Sequence, residues 1–271
     1  MEFLLEPLEY EFFRNALIAA FVTGISNGLI GVYVVLRGMS YVGHGLAHAA
    51  IGGAVIGAAL NLNFYAGACA VGVLATLTIN LITKNNKIKL DAAIGIVTTA
   101  IFAFGVAMVS TMKNFRQNFE TALFGNILGI NDADLMLIGV VGLITLVVMF
   151  YSYRSLLFST FDPEAAQIFG VKQKSVQLVF SLLLTFSIIA SLNVIGVTLV
   201  AATLIAPAMT ARMLTDSFGA MLLYSTIIGA TSNVIGMYLS YIFNVASGTT
   251  IVLFSALVFV VSMMIKPLRN H

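Results

Sequence analysis

The stretch Ile188–Ala211, IIASLNVIGVTLVAATLIAPAMTA, decides the fold class because it contains 24 consecutive residues without an ionisable side chain. A helix of about 20 predominantly apolar residues is long enough to cross a bilayer. The whole chain of 271 residues has this character, because 60% of it is hydrophobic and only 9% is charged, whereas soluble domains carry about 25% charged residues. The sequence therefore predicts an all-α protein, a polytopic bundle of transmembrane helices.

Nine apolar segments have the length and composition of transmembrane helices. They lie at 15–35, 43–60, 64–83, 91–112, 134–152, 176–191, 196–213, 218–242 and 248–265. The segments 176–191 and 196–213 have a second interpretation, one span followed by a re-entrant piece, and this gives eight spans in total. The apolar stretch Ala122–Ile130 is too short to cross and is expected to lie at the interface or to dip into the protein. Because no linker divides the chain, residues 1–271 are expected to form a single transmembrane domain.

The distribution of lysine and arginine predicts the orientation, because cytoplasmic loops are enriched in these residues. With nine spans, ten of the 13 basic residues fall on one side, and only Arg14, Lys113 and Arg116 fall on the other. This asymmetry predicts a multi-pass protein of the plasma or inner membrane, with its N-terminus outside and its C-terminus in the cytoplasm. A count of eight spans would move one terminus to the other side.

Two histidines, His44 and His48, stand in the otherwise uncharged stretch MSYVGHGLAHAAIGGAVIG, Met39–Gly57. Residues four apart on a helix share one face, one turn from each other. Two neutral imidazoles on one face suit a divalent transition metal, and polar groups within lipid are costly and tend to mark pathways. The alternative is that both histidines are packing residues that form hydrogen bonds with neighbouring helices. Spacing alone does not choose between these interpretations.

The chain lacks the motifs of several other classes of protein. A zinc metalloprotease helix needs H-E-x-x-H, but Gly45 follows His44 here. A P-loop needs G-x-x-x-x-G-K-[ST], and the stretch Gly170–Ser175 lacks its second glycine. We therefore expect no enzymatic activity, and ATP hydrolysis would have to occur in a separate subunit. The net charge of +2 gives no indication of nucleic-acid binding, so membrane lipid is the expected surrounding and nucleic acid is not an expected partner.

A loop on the predicted inner side, FDPEAAQIFGVK (Phe161–Lys172), carries the signals of a short helix. Asp162 is a favoured N-cap residue, Pro163 suits the first helical position, and Glu164 favours the positive end of the helix dipole. Gly170 can end the helix in a left-handed conformation. The helix would present Ala165, Ile168 and Phe169, either to lipid at the interface or to a soluble partner.

Two asparagines inside predicted spans, Asn27 and Asn233, are candidates to line a path through the membrane. The alternative for them, as for the serines and threonines inside spans, is a hydrogen bond between helices.

The histidine segment and the short loop helix belong to a larger set of sequence blocks. The blocks are VVLRGMSYVGHGLAHA (Val34–Ala49), DAAIGIV (Asp91–Val97), LFGNILGI (Leu123–Ile130), DPEAAQIFGV (Asp162–Val171), GVTLVAATLIAPAMTARML (Gly196–Leu214) and SGTTIVL (Ser247–Leu253). In this order, they resemble the permease subunits of the zinc, manganese and iron importers of the ATP-binding cassette class. The resemblance extends over most of the chain.

The resemblance implies a permease that forms a homodimer around a central path for a divalent transition metal. It would work with a cytoplasmic ATP-binding subunit and an extracytoplasmic metal-binding protein, and it would carry metal as cargo without a permanently bound cofactor. The ATPase would contact the E-A-A-x-x-x-G loop, here Asp162, Pro163, Glu164, Ala165, Ala166 and Gly170.

The second span of this family carries D-x-x-x-H as metal-contacting residues. His48 matches the histidine of this motif, whereas His44 occupies the position of the aspartate. Imidazole suits harder ions such as manganese less well than carboxylate does, so the substitution favours zinc slightly. The second function considered is a secondary metal transporter, coupled to an ion or to protons through His44 and His48, although it would leave the loop helix without a purpose.

Overall fold

The structure is a computed structural model that describes residues 6–84, 88–111, 123–125 and 130–269. After a 3₁₀ turn at Glu6–Glu9, these residues form α-helices and contain no strand. The helices are α1 (Glu11–Leu36), α2 (Ser40–Ala59), α3 (Phe64–Thr83), α4 (Leu90–Thr111), α5 (Asp132–Tyr151), α6 (Tyr153–Phe161), α7 (Pro163–Ile168), α8 (Gln173–Ile195), α9 (Val200–Leu214), α10 (Phe218–Phe243) and α11 (Ser247–Arg269). The predicted all-α architecture is confirmed.

Among the described residues, eight helices are long and apolar enough to cross a membrane. They are α1 to α5, α8, α10 and α11. Helix α9 has only 15 residues, a length of about 22 Å at 1.5 Å per residue, which is shorter than the roughly 30 Å hydrocarbon core. The chain is therefore a multi-pass membrane protein with eight long spans among the described residues. The re-entrant interpretation of 196–213 stays a prediction.

The boundary between α8 and α9 has a local cause. Gly196 adopts a positive φ of 88°, a conformation that side chains with a Cβ disfavour, so α8 ends at Ile195. Thr198 then donates a hydrogen bond of 2.8 Å from its Oγ1 to the carbonyl of Leu123. Leu123–Gly125 is the described part of the predicted short stretch, together with Ile130, and this contact joins it to the link between α8 and α9. Its position at the interface or within the protein stays a prediction. Residues 122 and 126–129 lie outside the described residues.

The chain divides into two compact units. The first consists of Met1–Val35, Gln117–Gly142 and Ala190–His271. Within it, α1 packs closely on α10, because a Cβ on Gly24 would lie 2.6 Å from the carbonyl oxygen of Gly229. Small residues allow transmembrane helices to approach closely, and here they fix the position of α1. The organisation as one domain stays a prediction.

The second unit consists of Leu36–Arg116 and Leu143–Ile189. Its centre is α2, which packs on α3 and α4. A Cβ on Gly57 would lie 2.7 Å from the Cα of Gly67 on α3, and a Cβ on Gly105 of α4 would lie 2.8 Å from the Cα of Gly52. The glycines of α2 thus bring its backbone against two neighbouring helices, and they determine which face of α2 is left for the histidines.

Candidate functional site

The two histidines of α2 contact each other through their ring nitrogens. Nε2 of His44 and Nε2 of His48 are 3.2 Å apart, and the planes of the two rings are at 88° to each other. Both side chains are partly buried. The helical spacing of four residues that the sequence predicts therefore brings both imidazoles to one point.

The distance between the two nitrogens fits a shared metal ion. A tetrahedral zinc ion with Zn–N bonds of about 2.0–2.1 Å separates two of its nitrogen ligands by about 3.3–3.4 Å. The observed separation of 3.2 Å is close to this value, so both Nε2 atoms can reach one ion with little movement. A hydrogen bond between the two rings uses the same atoms, and the two arrangements are alternatives.

The neighbouring helix α4 holds the histidine face in place. A Cβ on Gly45 would lie 2.5 Å from Cγ2 of Ile94 and 3.0 Å from Oγ1 of Thr98, so α4 contacts α2 directly beside His44. One turn further along, the ring of Phe102 lies 4.7 Å from the ring of His48, centroid to centroid. This contact restricts the orientation of the His48 ring.

Among the described residues, the two imidazoles are the metal-ligating groups at this point. No group of three or more histidine, cysteine, aspartate or glutamate side chains that could hold a metal occurs in the part of the chain that the structure describes. Nδ1 of His48 is buried and finds no hydrogen-bond partner among the described residues. A metal at this pair would therefore take its remaining ligands from water or from another chain.

The two asparagines are buried in the first unit, with side chains 0% and 1% exposed. Nδ2 of Asn27 donates to the hydroxyls of Ser191, at 3.3 Å, and Thr203, at 3.0 Å. Nδ2 of Asn233 donates to the carbonyl of Ala20 at 3.0 Å. The expected hydrogen bonds between helices are formed in both cases, and a role in lining a path stays a prediction.

The short loop helix α7 forms as the sequence predicts. Oδ1 of Asp162 accepts a hydrogen bond of 2.9 Å from the amide of Ala165, and Pro163 is the first helical residue. Gly170 has a φ of 78°, and the amide of Val171 donates to the carbonyl of Ala166 at 2.9 Å. This bonding is typical of the glycine-terminated Schellman motif.

The C-terminal end of α7 carries exposed apolar side chains. Ile168 is 84% exposed and Phe169 is 75% exposed, whereas Ala166 is fully buried and Ala165 is partly buried. Ala165 is thus less accessible than expected, because this side of the helix faces its neighbours. Glu164 is exposed beside the apolar pair. The surface formed by Glu164, Ile168 and Phe169, called here the loop-helix surface, is suited to contact with another molecule.

Two features of this region were missed by reasoning from sequence. Phe158 and Phe161 on α6 are exposed, and Phe158 lies 6.1 Å from Phe169, centroid to centroid, so the exposed apolar surface extends beyond α7. Arg37 forms hydrogen bonds with α6 and α8. The available signals were the aromatic residues three apart on α6 and the isolated arginine between two apolar spans.

The fold and the site define a class of protein, a helical membrane permease with a candidate transition-metal contact on its second span. The family description "ABC 3 transport family" matches residues 9–266. The chain belongs to this family, and the resemblance drawn from its sequence blocks is confirmed.

Individual relatives match over nearly their whole length. The manganese import system permease protein ScaB of Streptococcus gordonii is 38% identical over 100% of this chain and 97% of its own. The manganese transport system membrane protein MntC of Listeria monocytogenes is 36% identical over 98% of this chain and 95% of its own. The solved structure of PsaBC from Streptococcus pneumoniae in complex with Fab superimposes with a TM-score of 0.86 at 35% identity, covering 96% of this chain and 94% of that one.

Proposed function

We propose that this chain is the permease subunit of an ATP-driven importer for a divalent transition metal, and that His44 and His48 contact the ion during passage. The separation of 3.2 Å between their Nε2 atoms carries the proposal, because it matches the spacing of two nitrogen ligands on one ion. The family and the manganese systems named among its relatives support it. The metal is cargo, and the site needs no permanently bound cofactor.

A second copy of the chain would complete the site. Transition metals bound by proteins have at least four ligands in most sites, and one chain offers two imidazoles at this point. A homodimer in which the two histidine pairs face each other would supply four nitrogens. A path site with few protein ligands also suits transport, because the ion must leave as readily as it enters.

A separate cytoplasmic ATP-binding subunit would dock on the loop-helix surface. Its exposed Ile168 and Phe169 supply apolar contact area, and Glu164 supplies a charge at the rim. On the opposite side of the membrane, an extracytoplasmic metal-binding protein would deliver the ion. The sequence contains no P-loop motif, which is consistent with ATP hydrolysis in the partner subunit.

The proposed position of α7 determines the side of the N-terminus. Five long spans, α1 to α5, precede α7, so a cytoplasmic α7 places the N-terminus outside the plasma or inner membrane. A cytoplasmic C-terminus requires α9 to cross as well as α8, α10 and α11. Labelling of single cysteines placed in the link before α10 and after α11 tests this arrangement, because impermeant reagents reach only the outer side.

Uptake into vesicles tests the proposed function. The full complex with its ATPase is reconstituted, and zinc, manganese and iron are supplied singly and in competition. The proposal predicts uptake that requires ATP and that does not respond to a proton or sodium gradient. Uptake driven by such a gradient without ATP would support a secondary transporter instead.

A further inference from the structure

Arg37 lies in the short link between α1, which ends at Leu36, and α2, which begins at Ser40. Its guanidinium contacts two other helices. Nε donates to Oγ1 of Thr160 on α6 at 3.0 Å, and Nη1 donates to Oε1 of Gln177 on α8 at 3.1 Å. The guanidinium of arginine is a planar fork of five donors, which suits it to hold two partners in a fixed geometry.

The two helices that Arg37 joins are the ones that flank the loop helix α7. Thr160 lies two residues before Asp162, the N-cap of α7. On the other side, the side-chain amide of Gln173, at the beginning of α8, donates to the carbonyl of Pro163. The hydroxyl of Thr160 donates to the carbonyl of Leu156 at 2.6 Å, so its oxygen is oriented to accept from Arg37. A displacement of α7 must therefore act on the partners of Arg37.

The contact between α6 and α8 is incompletely filled. A cavity of about 140 Å³ lies between the end of α5, α6 and α8, and its lining includes Leu156, Val176 and Phe180. The guanidinium of Arg37 stands over the ring of Phe180, 4.7 Å from its centroid. This pocket leaves α6 and α8 without close contact over part of their length, and Arg37 bridges the two helices.

Arg37 is also close in sequence to α2, the helix that carries His44 and His48, which begins three residues later at Ser40. Gly38 has a φ of 66°, and a Cβ placed on it would meet nothing within 4 Å. Its conformation favours glycine and its surroundings are open, as is typical of a residue that absorbs backbone movement. Helix α2 begins two residues later, and His44 lies one turn inside it.

We propose that Arg37 is a positioning residue that couples the loop helix to the histidine pair. When an ATPase moves α7, the displacement of α6 and α8 pulls on the guanidinium, and the link Arg37–Met39 transmits it to the first turn of α2. The histidine face then changes its accessibility in step with the ATPase. This inference rests on the proposed function, since it assigns a regulator to the same site.

The test measures ATP hydrolysis and metal uptake on the same vesicles, with the full complex. Arg37→Lys keeps the charge but replaces the planar fork with a single ammonium on a flexible stem, and Thr160→Val removes one acceptor without altering Arg37. Both variants are expected to lower the amount of metal carried per ATP hydrolysed by about tenfold, within the usual range of coupling between two sites. Arg154→Lys, an exposed arginine on α6, is the matched control and should leave this ratio unchanged.

The outcomes separate coupling from structural support. A fall in uptake with ATP hydrolysis maintained would support the inference. An unchanged ratio of metal carried to ATP hydrolysed in Arg37→Lys and Thr160→Val would overturn it, whether both activities are kept or both fall in equal proportion. If the unmutated complex carried no metal on addition of ATP, the proposed function would be disproved, and the role of Arg37 that rests on it would be disproved as well.

Discussion

At the scale of single residues, the most informative feature is the meeting of His44 and His48. Their spacing predicts a shared face, because four residues make about one turn of helix. The sequence does not reveal the restraint on the rings, because that restraint comes from Phe102, which contacts His48 from another helix. The shared face of the two histidines thus follows from local helix geometry, whereas the orientation of their rings depends on how α4 packs against α2 at Gly45.

Replacement of His48 should remove transport without disturbing the fold. We expect His48→Ala to reduce metal uptake by at least the roughly 10–100-fold that loss of an outer-shell partner causes in metal sites, while co-purification with the ATPase is maintained. Thr231→Ala, which alters an exposed residue of α10 whose hydroxyl bonds its own helix, is the control. Normal metal uptake by the His48→Ala variant would show that transport does not need the histidine pair.

Replacement of His44 should change selectivity, because the ligand at this position changes type. His44→Asp introduces the D-x-x-x-H pattern that the family resemblance implies for this span, and a carboxylate suits manganese better than imidazole does. Uptake with zinc and manganese in competition is expected to shift towards manganese relative to the unmutated complex. An unaltered ratio of the two metals would show that residue 44 does not contact the cargo.

At the scale of elements, the loop helix was the most predictable part of the structure. Its signals are local, since Asp162, Pro163 and Gly170 each act within one turn of their own position. The end of α8 at Gly196 also has a local cause, but the contact of the link that follows it does not. Thr198 donates to the carbonyl of Leu123, which is 75 residues away in the sequence, and the apolar pattern of the two segments does not indicate this pairing.

Removal of the N-cap should loosen α7 alone. Asp162→Ala deletes the hydrogen bond to the amide of Ala165, and loss of such a cap costs about 1 kcal/mol. Hydrogen exchange of the α7 amides should therefore accelerate by about fivefold, while exchange in α2 stays unchanged. Asp162→Asn retains a capping oxygen and should behave as the unmutated protein. Equal acceleration in both variants would contradict the role of the cap.

Reversal of charge on the loop-helix surface should weaken docking of the ATPase. Glu164→Lys places a positive charge in the first turn of α7, where the helix dipole disfavours it by about 0.3–1 kcal/mol, so α7 is expected to remain folded. Co-purification with the ATPase should fall. Gln167→Lys adds a charge at another exposed position of the same helix, and equal weakening by both variants would show that Glu164 makes no specific contact.

At the scale of the whole molecule, composition alone predicted the class. Only 9% of residues are charged, and this excludes a soluble fold. All eight long spans were predicted to within four residues at each end, because long apolar segments give a strong signal. The largest differences are at the beginning of α1 and at the ends of α8 and α11, where each helix extends four residues beyond the prediction. The close approach of glycines such as Gly24 and Gly57 to other helices depends on packing that no single segment displays.

We expect the metal to contact both imidazoles of α2 as it passes through the permease. Crystals of the complete complex, soaked with zinc and measured at the zinc absorption edge, test it most directly. We expect an anomalous peak about 2.0–2.1 Å from Nε2 of both His44 and His48, with further ligands from water or the second permease. A zinc peak elsewhere, with the two rings turned towards lipid, would show that the histidine pair does not bind the metal.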